Sequence, residues 1–272
     1  MRLYLRNHKW VGLFVVLALS TLMSACSLLR TAPAVPQPEL TPRPYTGDEP
    51  HTEGLWHFDE SDPLAEADGR IAELKTPGHN THEGEWQVVP GMFGTGVRLV
   101  GYKSLAFDIG GRLSNTFTAE AWIKLDSDAF QAGHFGLFHS RWPTDIFEVN
   151  FNSDKRIRFT LRDTNGATVV LEGDVSFMQS ETWYHVAVVV EARDDEPNKP
   201  YVKLYVTPAG EIEANLVKEG GLDLEWRSIE GNFFYIGNSN ASQQDRYFRG
   251  VIDEVRVSNA ALGPEDFTTL GF

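Results

Sequence analysis

The ten residues Thr116–Leu125, TFTAEAWIKL, decide how the rest of the chain is read. In an extended strand successive side chains point to opposite faces. Phe117, Ala119, Ala121, Ile123 and Leu125 therefore share one face, and Thr118, Glu120, Trp122 and Lys124 share the other. A helix would scatter the same apolar positions around its circumference. The texture returns in Trp183–Glu191, WYHVAVVVE, which is apolar on both faces toward its end. That run predicts a central strand covered from each side.

Outward from these two runs, short strand-like stretches recur between clusters of Gly, Asn, Asp and Ser. They are Gly54–Phe58, Gly96–Val100, Phe135–Ser140, Phe147–Phe151, Arg156–Leu161, Thr168–Glu172, Tyr201–Val206, Phe233–Ile236 and Tyr247–Val257. Many short strands with turn signals and no long helical period predict a sandwich or barrel of antiparallel strands. The helical signal lies at the end, where Gly263-Pro264-Glu265-Asp266 puts Pro in a first turn beside acids that suit the helix dipole. No tandem repeat is visible, and residues 51–272 read as one domain.

Upstream the texture changes. Ser27–Pro50 carries six prolines and almost no apolar periodicity. It predicts an extended, semi-rigid linker, bounded as residues 26–50. Residues 1–25 read as a signal peptide: Arg2, Arg6 and Lys9 precede the apolar run Trp10–Met23, and small Ser24 and Ala25 lead into Cys26. The run is shorter than the roughly 20 residues of a spanning helix. Ser24-Ala25-Cys26 resembles the lipobox of bacterial lipoproteins, with Met23 where Leu is usual. The resemblance implies a diacylglycerol on the Cys26 thiol, acylation of its freed amine, and a membrane partner through that lipid. Ser27 after the cysteine points by analogy to the outer membrane of a Gram-negative envelope.

The 272 residues carry a formal charge of −14. Removing residues 1–25 takes away three basic and no acidic residues, leaving 21 Lys and Arg against 38 Asp and Glu, a formal −17. Such a surface repels nucleic acid and anionic head groups. Cys26 is the only cysteine, so the sandwich is held by packing and not by a disulfide.

Taken together, the strand-like stretches resemble a known family. Gly54-Leu55-Trp56-His57-Phe58-Asp59-Glu60, Gly91-Met92-Phe93-Gly94-Thr95-Gly96-Val97-Arg98-Leu99, Phe117–Ile123, Trp183-Tyr184-His185-Val186-Ala187, Phe234–Asn238, Phe248–Val257 and Ala261–Glu265 match, in order, the blocks of laminin G-like jelly-roll domains of the concanavalin A-like lectin/glucanase group. The resemblance implies an all-β fold: a two-sheet antiparallel jelly-roll sandwich with a short C-terminal helix. It also implies that Trp56, Trp122 and Trp183 belong to the core between the sheets.

Catalysis in this group means glycosidic hydrolysis by two facing carboxylates. The resemblance to laminarinase-like enzymes would require Glu-Ile-Asp-x-x-Glu, and the nearest string, Glu211-Ile212-Glu213-Ala214-Asn215, lacks the second acid. Asp253 and Glu254 are neighbours on a strand and are expected on opposite faces. The expectation is a non-catalytic module, with a divergent glycosidase as the distant alternative. The resemblance further implies a structural calcium where first and last strands meet, with Asp59 and Asp253 as its oxygen donors; a turn cap at Asp59 and backbone hydrogen bonds at Asp253 are the plain alternative. Sugars stack on aromatic faces, so Trp142 with Arg141 beside it, and Trp226, are the candidate ligand contacts, lying outside the family blocks. A glycan or an envelope protein is the expected partner. The second reading is an assembly lipoprotein that uses the sandwich as a protein-interaction surface.

Overall fold

A computed structural model of the chain describes residues 43–45, 50–59, 73–75, 85–100, 104–108, 113–141, 145–163, 165–226, 233–237 and 246–267. All of them lie in one compact unit, Leu40–Phe272. Residues 1–25, read as a signal peptide from the sequence, and Cys26 and Trp142 fall outside the described residues.

Among the described residues, fifteen strands form two antiparallel sheets of eight and seven. The first sheet runs β13 (Leu216–Gly221), β12 (Pro200–Pro208), β11 (Trp183–Ala192), β6 (Phe117–Leu125), β15 (Gly250–Ser258), β4 (Thr95–Val100) and β3 (Glu85–Pro90), with β1 (Thr52–Trp56) also paired to β15. The second runs β10 (Thr168–Asp174), β9 (Arg156–Arg162), β8 (Asp145–Phe151), β7 (Phe135–Arg141), β14 (Phe233–Ile236), β5 (Ser104–Asp108) and β2 (Glu73–Lys75). The period-two patterns set the register. In β6, Ala119, Ala121 and Ile123 pair with Val188, Val186 and Tyr184 of β11, so one apolar face continues across both strands. These residues meet Phe138, Phe147, Val149, Phe159 and Phe234 of the second sheet in a single inter-sheet core.

A smaller core lies on the other side of the first sheet. Trp122, Ala187, Val189 and Tyr205 are covered there by Leu262 and Phe267 of the C-terminal segment, with Met92, Phe93 and Trp183 at its rim. This corrects the placement of two tryptophans. Trp56 is between the sheets, whereas Trp122 and Trp183 belong to the outer layer. The alternation of β6 requires it, since Trp122 falls on the face of Thr118 and Glu120. The layer also explains why β11 is apolar on both faces.

The expected C-terminal helix is a single 3-10 turn, Pro264–Asp266. Its acids do cluster at the start, and the Gly263 N–H donates to Asp266 Oδ2 at 3.3 Å. The turn stops because Phe267 inserts beside Tyr205 and His185, with ring centroids 5.2 and 5.7 Å away. Strands β2, β3, β5 and β13 were not legible as separate elements; β2 has three residues, and the exposed positions of β13 lack the apolar alternation that marks a core strand.

Candidate functional site

The outward-facing side of a sandwich sheet normally carries solvated polar residues. On the second sheet these positions are polar but not solvated. His139 of β7, Glu148 and Asn150 of β8, Thr160 of β9 and Tyr235 of β14 alternate with the core positions Phe138, Phe147, Val149, Phe159 and Phe234. The register lines up Tyr235, His139, Glu148 and Thr160 as one row across four strands. Asn150 and Arg158 lie in the next row, opposite Gly136 and Glu172. His139 is 0% exposed, Asn150 2%, and Glu148, Thr160 and Tyr235 8% each.

Withdrawing polar groups from water is costly unless each finds a hydrogen-bond partner. The Oδ1 of Asn150 has none. The rings of His139 and Tyr235 sit 5.2 Å apart at 36°, giving the row an aromatic end, and Arg158 is tied to Glu172 at its border. The face therefore combines a carboxylate, an amide, a hydroxyl and an aromatic pair on rigid strands. That donor and acceptor mixture matches a ligand rich in hydroxyls.

The other cluster of acids is on the first sheet, and its geometry differs from the expectation. Between Ile252 and Val255, both facing the inter-sheet core, β15 carries two residues where regular alternation allows one. The register slips there, and Glu254 has φ 47°, in the left-handed region. The bulge turns both Asp253 and Glu254 outward, which corrects the expectation of opposite faces. It falls where the neighbour of β15 changes from β4 to β1.

Asp253 accepts the N–H groups of Met92 at 2.7 Å, Phe93 at 3.0 Å and its neighbour Glu254 at 2.8 Å. Burial pushes its carboxyl up to about 8 against the pull of these amides, and nearby Glu254 adds to the rise. Asp59 meets the same Gly91–Thr95 turn, accepting the Thr95 N–H at 2.6 Å. A Cβ on Gly91 would stand 2.5 Å from Asp253 Oδ2, and one on Gly94, whose φ is +52°, 2.3 Å from Asp59 Oδ1. Both glycines are there to let the turn close on its acids.

This arrangement does not fit calcium. Both Asp253 oxygens already accept backbone N–H groups, and among the described residues no three His, Cys, Asp or Glu side chains converge on a metal position. Asp59 and Asp253 fasten a turn instead.

Trp226 is also corrected. It is 7% exposed and lies in the inter-sheet core, stacked on Phe147 and Phe159 at centroid distances of 6.0 and 6.2 Å. Its faces are taken, so it cannot serve as a sugar platform. Arg141 ends β7 two residues beyond His139, in register with Phe233 and Asp145. The row His139, Glu148, Thr160 and Tyr235, with Asn150 in the next, was missed in the sequence. Alternating polar residues in apolar strands look like an ordinary solvated face, and only burial sets these apart.

A family profile described as the concanavalin A-like lectin/glucanases superfamily matches residues 101–267. The chain belongs to this superfamily. No curated protein matches the chain as a whole-sequence relative. Among solved structures, this superfamily member is similar to domain 4 of AbnA, a GH43 extracellular arabinanase from Geobacillus stearothermophilus, in complex with arabinotriose. The TM-score is 0.54 at 19% identity, over 83% of this chain and 100% of that one. It is also similar to the binding domain of botulinum neurotoxin DC in complex with SialylT, with TM-score 0.59, 13% identity and 82% of this chain covered. The botulinum neurotoxin serotype D binding domain gives 0.53 at 14% identity over 79%. This jelly roll spans about half of each neurotoxin binding domain, 52% and 50%. At these identities the likeness concerns the fold.

Proposed function

We propose that the chain is a lipid-anchored envelope module that binds a neutral glycan on the outward side of the second sheet, without catalysis. The observation that carries the reading is the recessed row His139, Glu148, Thr160 and Tyr235, with the unpartnered Oδ1 of Asn150 in the next row. A sugar hydroxyl supplies the donor that Asn150 Oδ1 lacks, and the Tyr235 and His139 rings offer apolar contact to pyranose CH groups. Trp142, next in sequence to Arg141 and outside the described residues, remains the proposed stacking residue. The arabinotriose and SialylT complexes of its structural neighbours are in keeping with a saccharide ligand.

A non-catalytic role is supported by how the acids are engaged. Glu172, on the strand beyond β9 from Glu148, is held by Arg158. Glu120, Asp253 and Glu254 of the first sheet are each engaged by the chain's own groups, Tyr45, the Met92 and Phe93 amides, and His57.

A glycan array with the mature chain in detergent micelles tests the reading. Binding of a neutral oligosaccharide is expected, with Asn150→Ala and Glu148→Gln each weakening it at least about tenfold, the loss of one or two hydrogen bonds to buried groups. Melting within a few degrees of wild type shows that these variants fold. If no glycan binds, the protein-interaction reading replaces this one. Release of reducing ends from a bound polysaccharide would overturn the non-catalytic part alone.

A further inference from the structure

Among the described residues Arg256 is the largest charged side chain sealed inside the molecule, 1% exposed on the outward side of the first sheet. Its Nε donates to Thr52 Oγ1 at 3.1 Å, one Nη to the Asp266 carbonyl at 3.1 Å, and the other to the Pro50 carbonyl at 3.3 Å. The same guanidinium lies 5.1 Å from the centre of the Tyr45 ring and 3.6 Å from Glu120 Oε1. One arginine thus ties residues upstream of β1 to the C-terminal segment.

Tyr45 completes the arrangement. It belongs to the proline-rich run, between Pro44 and Pro50, and a linker residue there would be exposed. It is 3% exposed. Its hydroxyl donates to Glu120 Oε2 at 2.7 Å, and its backbone N–H donates to Glu254 Oε2 at 3.0 Å. The other Glu254 oxygen accepts His57 Nδ1 at 2.7 Å, and His185 Nε2 stands 3.3 Å from Glu120 Oε2. The strained bulge at Glu254 is what turns its carboxylate toward the Tyr45 backbone.

We propose that Glu120, Glu254 and Arg256 form a tyrosine-binding clasp that fastens the chain's own proline-rich tether to the sandwich at Tyr45. The proposal rests on reading that run as a tether. The three side chains recognise three distinct features of one residue: hydroxyl, backbone N–H and ring face. A buried charged set of this kind is costly to leave unfilled, so it selects a segment able to satisfy all three at once. The sandwich then engages the chain at Tyr45, ahead of Pro50, on the outward side of the first sheet.

The test uses the full chain in micelles. Hydrogen exchange should show the Tyr45 amide protected to the level of β1; exchange at the rate of an unstructured chain overturns the clasp. Tyr45→Ala should lower the melting midpoint by about 5 °C or more. Added p-cresol should restore part of the loss, and toluene, which has no hydroxyl for Glu120, should restore less. A Tyr45→Ala midpoint equal to wild type, or equal rescue by both compounds, refutes recognition of the tyrosine. If Tyr45→Ala does not fold, Tyr45→Phe replaces it, with a smaller fall expected and an unchanged midpoint counting against the proposal. Glycan binding by these variants reports separately on the polar row, and membrane fractionation on Cys26, so failure of the clasp is distinguishable from failure of either reading.

Discussion

Asp253 shows how much a single side chain can be misjudged from its neighbours in sequence. Beside Glu254 it reads as half of an alternating pair, yet the bulge places both acids on one buried face. The consequence is measurable. Its folded pKa of about 8 lies above the ordinary 3.8 of an aspartate, so between these values the native state holds a proton that the unfolded chain has lost. The stability this group contributes is complete below about pH 4, falls as pH rises, and is gone above about pH 8. The slope is bounded by about 1.4 kcal/mol per pH unit. Glu254, also raised by burial, acts in the same direction. Asp253→Asn should therefore be less stable at pH 5, where its amide meets the Glu254 N–H, but with a flatter profile toward pH 9. Urea unfolding at several pH values measures this, and an unchanged slope would assign the pH dependence elsewhere.

At the scale of elements, the strands with strict alternation were the legible ones. β6, β8, β9 and β11 have their apolar positions where the period of two puts them, and each lies in the core it predicts. The short edge strand β2 and the exposed strand β13 were not, since a strand of few residues or with two solvated faces has no burial pattern to display. Segments between strands are least legible of all. Asp223 to Trp226 looks like a polar stretch with one loop aromatic, but Trp226 folds back into the sandwich between Phe117, Phe147 and Phe159. Its backbone N–H donates to the Asn198 carbonyl at 2.6 Å, which fixes the crossing. Trp226→Ala should cost about 3–5 kcal/mol, the range for truncating a buried aromatic. Chemical denaturation reads that loss, while glycan affinity per folded molecule should stay at the wild-type value.

For the whole molecule, the two faces of the sandwich divide the work. The outward side of the first sheet is closed by the C-terminal segment and by Tyr45, whereas the second sheet keeps the recessed polar row. Display at a membrane requires the lipid proposed on Cys26. Replacing Cys26 by Ala should leave the precursor uncleaved or release the protein from the membrane fraction; unchanged size and fractionation would remove the lipid anchor from this account. Under that proposal the formal charge of −17 on residues 26–272 would hold the sandwich off an anionic surface.

What the sequence by itself determined is whatever depends on local alternation and order: a sandwich or barrel of antiparallel strands, which the resemblance of the ordered blocks narrowed to a two-sheet jelly roll. A period of two is a property of the strand, so it can be read without knowing the strand's neighbours. The contents of each face needed the tertiary structure. Trp122, Trp226, Asp253 and Tyr45 each lie where a distant segment covers or clasps them, at separations along the chain of up to 209 residues. Whether an outward polar residue meets water, a turn or the chain's own tether depends on which segment arrives over it. Burial at a distance leaves no periodic mark in the residues it covers.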